Sequence, residues 1–311
     1  MNKIAITTGD PNGIGAEITI KALQYLDLPA DKVAIVSNKN ILNFYGGSEV
    51  ANKYEIIEIP FDTNDISAGQ VSASAGNFSY QSLQKVCEIK PRAIVTAPVA
   101  KNALHLAGYN FNGQTEILEK YLAHDGQKAE MLFIANNFRV LLLTRHCALK
   151  NVNITKEMVI SKVKNLENTL KDFGIKQPKL ALCGFNPHAG ENGILGQEEI
   201  EILIPAVEQL SQLGVNITLP KPADTLFVNA AKYYLAGAKD EYDCYIANYH
   251  DQGLIPIKTV APDNTVNTTI GLDIIRTSPG HGTAFDIAGK GIARPDSMIA
   301  AIETAFKLTK I

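Results

Sequence analysis

The 311-residue sequence contains no run approaching the roughly 18 apolar residues that a membrane span requires. Its N-terminal stretch, Met1 to Asp10, also has too short an apolar segment for a signal peptide. A cytoplasmic location is expected. The charge balance has no basic surplus: the formal net charge is -3, which removes the electrostatic footprint of a nonspecific nucleic-acid binder and points to small-molecule partners. Cysteine is scarce and scattered. Cys87, Cys147, Cys183 and Cys244 form no C-x-x-C pair, so they read as buried thiols in a reducing compartment, not as a disulfide or zinc framework. Repeats, low-complexity tracts and long linkers are missing too.

The remainder has the composition of an ordinary folded protein, 46% hydrophobic and 20% charged, with room for two domains or one large α/β unit. Short β-rich runs at 3–8, 33–37, 54–59, 93–96, 179–183 and 242–247 alternate with helical periodicities at 16–25, 80–89, 156–173, 198–213 and 297–307. Strands separated by helices imply βαβ units and a mainly parallel sheet. Between 130 and 144 the rhythm breaks. Met131 to Ala135, then Asn136-Asn137, then Phe138 to Thr144 read as a hairpin, which places a domain change near residue 125.

Several stretches could carry chemistry. Gly9-Asp10-Pro11-Asn12-Gly13-Ile14-Gly15-Ala16-Glu17 is a glycine-rich turn from strand to helix, but its glycines are not spaced as G-x-G-x-x-G. No acidic residue ends the following strand to hold a ribose, and spacing leaves a structural turn and a ligand loop equally open. Of the six histidines, His146, His188 and His250 follow apolar strands in polar or glycine-rich surroundings, whereas His105 and His124 sit in helical patterns. Three imidazoles at strand ends would form an open metal site favouring zinc, iron, cobalt or nickel over magnesium, with Asp251 to orient or supplement it. Gln252-Gly253 then reads as a turn towards Lys258. In the stretch that also holds Asn267, Lys258 and Arg276 are the cations that a phosphate monoester calls for, with solvated surface charge as the alternative reading. The segment from His281 to Gly291 offers backbone donors, an imidazole and, at Asp286, a carboxylate, enough to receive an adenosine.

Taken together, Gly9-Asp10-Pro11-Asn12-Gly13-Ile14-Gly15, Thr96-Ala97-Pro98-Val99, Asn186-Pro187-His188-Ala189-Gly190-Glu191, Tyr249-His250-Asp251-Gln252-Gly253 and Arg276-Thr277-Ser278-Pro279 through Gly291 resemble the 4-hydroxythreonine-4-phosphate dehydrogenase (PdxA) family of vitamin B6 biosynthesis. The resemblance implies two α/β/α domains similar to isocitrate and isopropylmalate dehydrogenases, 1–125 plus 272–311 and 126–271, in a homodimer with its active site in the interdomain cleft. It implies a divalent cation, zinc foremost with magnesium or cobalt as alternatives, on His146, His188 and His250. One of these, expected to be His250, would come from the partner subunit. Substrate contacts carry over to Gln114, Thr115, Lys258, Asn267 and Arg276, and NAD contacts, by analogy with isopropylmalate dehydrogenases, to His281 at adenine and Asp286 at ribose. The implied reaction oxidises and decarboxylates 4-phosphooxy-L-threonine to 3-amino-2-oxopropyl phosphate, with Asp251 as candidate base.

At one position the chain departs from the family pattern: Gly113-Gln114-Thr115-Glu116 stands where the family has Gly-His-Thr-Glu. Glutamine can donate a hydrogen bond there but cannot carry a proton. D-Threonate or D-erythronate 4-phosphate are the alternative substrates. An NAD-independent metal-dependent phosphatase or aldolase is the reading from another class, opposed by the adenosine-like loop.

Overall fold

The computed structural model of the protein describes residues 1–124 and 126–310. It divides into two compact units, Met1–Ala129 with Val266–Ile311, and Glu130–Thr265. The first change of unit, expected near residue 125, comes between Ala129 and Glu130. The chain returns to the first unit at Val266 instead of residue 272, because 266–270 forms a strand paired within that unit.

The first unit runs β1 (Ile4–Thr7), α1 (Gly15–Leu26), β2 (Val33–Ser37), α2 (Lys39–Phe44), α3 (Ser48–Lys53), β3 (Glu55–Glu58), α4 (Ala73–Glu88), β4 (Ala93–Thr96), α5 (Lys101–Leu106) and α6 (Gln114–Leu122). The second unit supplies β5 (Glu130–Ala135), β6 (Phe138–Leu142), α7 (Lys156–Asp172), β7 (Leu180–Leu182), α8 (Ile204–Gln212), α9 (Ala223–Leu235), β8 (Cys244–Ala247) and α10 (His250–Val260). The first then closes with β9 (Val266–Ile270), β10 (Arg276–Pro279) and α11 (Asp296–Thr309).

In the first unit the strand order is β3-β2-β1-β4-β10-β9. β1 runs parallel to β2 and β4, β10 runs parallel to β4, and β9 is antiparallel to β10. Period-two alternation decides which face each side chain serves. Ile4, Ile6, Val33, Ile35 and Val95 pack with α1 and α11, whereas Ala5, Val36 and Ile94 pack with α4 and α6. A sheet buried on both faces explains why these strands are almost wholly apolar.

The second unit orders its strands β5-β6-β8-β7, with β5 and β6 as the expected hairpin and β8 parallel to both β6 and β7. Asn136 makes the hairpin turn at φ 52°, a conformation asparagine tolerates. Its core joins Phe133, Phe138, Val140 and Tyr245 to Leu254 and Ile257 of α10.

Four local expectations change. Cys147, just beyond the second unit's β6, is exposed, whereas the other three cysteines are buried as expected. Residues 250–260 are helix, so Gln252-Gly253 is not a turn. His124 lies beyond the end of α6, outside any helix. The 198–213 pattern divides into a wide π-helical turn, Glu199–Leu203, followed by α8. Among the described residues no helix is long and apolar enough to cross a membrane.

Candidate active site

β8 delivers the chain to α10, and the first residues of that helix are His250 and Asp251. Their placement is braced by amides just behind them. The Gln252 Oε1 accepts the Asn248 N–H at 2.7 Å, while Gln252 Nε2 donates to the Gly184 carbonyl at 2.8 Å and Asn248 Nδ2 to the Cys183 carbonyl at 2.9 Å. The ends of β7 and β8 are thereby fixed to the start of the helix. Gly253 lets α10 lie close on the sheet, since a Cβ there would come within 2.6 Å of Leu142 and 2.8 Å of Val140.

His250 faces His146, with ring centroids 5.2 Å apart, and both imidazoles line a pocket of about 280 Å³ with Arg145, Cys147, Tyr249 and Asp251. The Asp251 Oδ1 lies 2.7 Å from His250 Nδ1. A carboxylate on Nδ1 fixes the tautomer in which Nε2 carries the free lone pair, the arrangement that suits a metal-ligating histidine. Two imidazoles with one oriented in this way fit a divalent cation. No group of three or more potential ligands converges among the described residues. His146 and His250 are brought together within one chain, and His188 is not among the residues lining their pocket.

His188 sits in an unusual piece of backbone. From His188 to Asn192 every φ is positive, at 53°, 53°, 78°, 44° and 56°, and Gly193 continues at 90°. For His188, Ala189 and Glu191, left-handed backbone costs roughly 1–2 kcal/mol each, about 3–6 kcal/mol together, whereas Asn192 tolerates it. Such a turn persists only where its surroundings hold it. The sequence carried no signal for it beyond Gly190, Asn192 and Gly193.

In the first unit, Arg276 of β10 is 3% exposed. Its Nε donates to Thr96 Oγ1 at 2.8 Å and its Nη1 to Thr269 Oγ1 at 3.5 Å. Burial pushes the guanidinium down to about 9, and no carboxylate pairs with it among the described residues. The register sets Arg276 opposite Thr269 and Ser278 opposite Asn267, so these four side chains share one face of the sheet. Buried within that face, Asn267 Oδ1 has no hydrogen-bond donor. Gln114 donates through Nε2 to the carbonyl of Ala97, the residue after Thr96, and its Oε1 is likewise buried and unpartnered. Gln114 and Thr115 open α6, which starts where it does because Glu116 accepts both the backbone and side-chain N–H groups of Asn112, at 2.8 and 2.9 Å. Arg276 and Gln114 therefore meet adjacent residues at the carboxyl end of β4, the position where ligands bind in α/β sheets. Lys258, two turns into α10, is an exposed residue of the second unit.

In the glycine-rich turn after β1, three successive N–H groups are taken within the protein. The N–H of Asn12 goes to Asp10 Oδ1, that of Gly13 to the Asp10 carbonyl and that of Ile14 to the Thr283 carbonyl. The turn and α1 also hold the neighbouring loop. A Cβ on Gly13 would come within 3.0 Å of Thr283, Glu17 accepts the Gly289 N–H at 2.5 Å, and Lys21 donates to the carbonyls of Gly291 and Ala293 at 2.8 and 2.7 Å. The 281–291 loop is thus tied to α1 and presents His281 and Asp286 to solvent. Both are exposed on a fixed loop, and with His281 Nδ1 held 3.0 Å from the Gly282 carbonyl, its ring face and the Asp286 carboxylate fit the recognition of an adenosine. Sequence reasoning gave Glu17 and Lys21 no role; their i, i+4 spacing was the available signal.

The profile of the family described as "Pyridoxal phosphate biosynthetic protein PdxA" matches residues 4–305. A 4-hydroxythreonine-4-phosphate dehydrogenase of Synechocystis sp. is 39% identical, covering 99% of this chain and 96% of its own. A relative from Oceanobacillus iheyensis, 38% identical over 98% of this chain and 97% of its own, carries a D-threonate 4-phosphate dehydrogenase name. The crystal structure of 4-hydroxythreonine-4-phosphate dehydrogenase from Klebsiella pneumoniae superimposes with a TM-score of 0.87 at 33% identity, over 100% of this chain and 98% of that one. A β-decarboxylating dehydrogenase from Thermococcus kodakarensis shares the fold at 16% identity, with a TM-score of 0.59, over 100% of this chain and 84% of that one.

Proposed function

The chain belongs to the pyridoxal phosphate biosynthetic protein PdxA family, and we propose that it is a cytoplasmic, homodimeric, NAD-dependent 4-hydroxythreonine-4-phosphate dehydrogenase. Its substrate is 4-phosphooxy-L-threonine, oxidised at C3 and decarboxylated to 3-amino-2-oxopropyl phosphate. The observation that carries this reading is Arg276. A buried guanidinium without a carboxylate is costly by itself and becomes favourable when a dianionic phosphate arrives.

His146, His188 and His250 would hold a divalent cation, zinc before magnesium because the donors are imidazoles, in a site shared between subunits. His281 would contact adenine and Asp286 the ribose of NAD. When bound, the metal supplies a Lewis acid and NAD a hydride acceptor. The chain's own side chains do the rest. Arg276 and Lys258 bind the phosphate and use that remote binding energy to place C3 for oxidation. The Gln114 Oε1 and Asn267 Oδ1, each buried without a donor, accept from substrate hydroxyl or ammonium groups, with Thr115 beside them. Asp251 keeps His250 in one tautomer through Oδ1 and takes the proton of the C3 hydroxyl at Oδ2.

NADH formation from 4-phosphooxy-L-threonine by wild type and R276M tests the reading. Loss of charge-assisted hydrogen bonds worth about 2–4 kcal/mol should raise KM by roughly 30- to 1,000-fold. An unchanged KM would remove Arg276 as the phosphate anchor. D-Threonate 4-phosphate is the second reading, favoured by Gln114, which cannot carry a proton. NADH production from that phosphate or D-erythronate 4-phosphate, with none from 4-phosphooxy-L-threonine, would establish it.

A further inference from the structure

The carboxylate of Glu199 lies 3% exposed, and no lysine or arginine pairs with it among the described residues. Two donors from a single residue hold it: Asn186 N at 2.8 Å to Oε1 and Asn186 Nδ2 at 2.9 Å to Oε2. Glu198 takes the same Nδ2 at 2.7 Å. Asn186 is extended, at φ -95° and ψ 162°, and two residues later the chain enters the left-handed turn at His188. The turn closes over the carboxylate. A Cβ on Gly190 would stand 2.6 Å from Glu199 Oε2, and one on Gly196 would stand 2.2 Å from Asn186 Nδ2. Glu199 itself begins the π-helical turn, whose wider winding changes the helical register at that point. The far end of the left-handed turn is fastened separately, by Leu195 N to the Gly190 carbonyl at 3.1 Å and Gln197 Nε2 to the Gly193 carbonyl at 2.9 Å.

We infer that Glu199 is a positioning residue for His188: acting through Asn186, it holds the backbone in the left-handed conformation that sets the direction of the imidazole. A neutral amide would fill the same space, but only its oxygen could accept, and its NH2 would face one of the two Asn186 donors. Losing the acceptor would leave a buried N–H unsatisfied and let residues 188–192 relax towards right-handed backbone, in which the Cα–Cβ bond of His188 points elsewhere. The inference rests on the reading of His188 as a metal ligand.

The test is a Zn²⁺ titration of the metal-stripped full-length protein, in competition with a chromophoric chelator, for wild type, H188A, E199Q and N186A. Far-UV circular dichroism and binding of inorganic phosphate are measured on each. H188A should weaken zinc binding, and E199Q and N186A should each weaken it by about 10- to 100-fold, the usual effect of removing a group that orients a ligand. Phosphate binding through Arg276 should stay unchanged. In metal-free E199Q the ring resonances of His188 should shift while those of His146 and His250 stay in place, which a general loss of stability would not produce. If E199Q fails to fold, N186A, which keeps the charge and removes only the amide, carries the test. Zinc binding by H188A equal to wild type would sink the metal reading. Weakened binding by H188A, with E199Q or N186A matching wild type, would overturn the positioning role and leave the metal reading standing.

Discussion

Asp10 and Arg276 are both buried, and burial works on them in opposite directions. The Asp10 carboxyl is pushed up to about 6, against the pull of the Asn12 and Ala100 N–H groups, and its Oδ2 has no donor. Because the folded value lies above the unfolded one, the folded state holds the proton more tightly. Stability therefore falls as pH rises from about 4 to about 6, by up to about 3 kcal/mol, and the cost is fully present above that window. D10N should flatten this part of the stability profile, as urea denaturation between pH 4 and 8 would show; a profile unchanged from wild type would mean Asp10 is not its source. Arg276 offers the complementary case. R276M should raise the melting temperature of the ligand-free protein, since it removes an uncompensated buried cation, while abolishing stabilisation by inorganic phosphate. Calorimetric melts with and without phosphate would check both. A lower melting temperature for R276M without ligand would show that the hydrogen bonds to Thr96 and Thr269 outweigh the desolvation.

The site residues of the second unit depend on α10 lying close to β6 and β8, and Gly253 permits that approach. In G253A the new methyl would meet Leu142, Val140 and Ala247, so the helix must shift. A destabilisation of about 1–3 kcal/mol is expected, together with weaker zinc binding, because His250 begins the same helix. Urea unfolding and zinc titration measure the two effects; wild-type values in both would show that the helix can be displaced without cost. This helix was also the element least legible in the sequence. Gly253 and Pro256 fall inside 11 residues, and such residues read as a turn when the packing that requires one and tolerates the other cannot be seen. The strands β1, β2 and β4 were legible for the opposite reason: burial on both faces makes them continuous apolar runs. The left-handed turn at His188 was illegible because it is held by Glu199, eleven positions further along the chain, and not by local preference.

Across the whole molecule, the proposed ligands belong to different units. Phosphate and adenosine contacts fall mainly in Met1–Ala129 with Val266–Ile311, and the paired imidazoles in Glu130–Thr265. Hydrogen exchange should therefore separate them. Zinc should protect the segments around His146 and His250, whereas NAD should protect residues 281–291, and a chelator should reverse only the first. Uniform protection by either ligand would contradict this assignment. By itself the sequence determined the alternating α/β plan, the hairpin after residue 129 and the motif blocks that mark the family, since periodicity and turn chemistry are local. Only the tertiary structure decided that the glycine-rich turn is tied through Ile14 to the loop at Thr283, that Arg276 is buried without a counter-charge, and that His146 faces His250. Each of these turns on how far apart in space two distant segments lie, and desolvation and hydrogen-bond satisfaction are set by that distance.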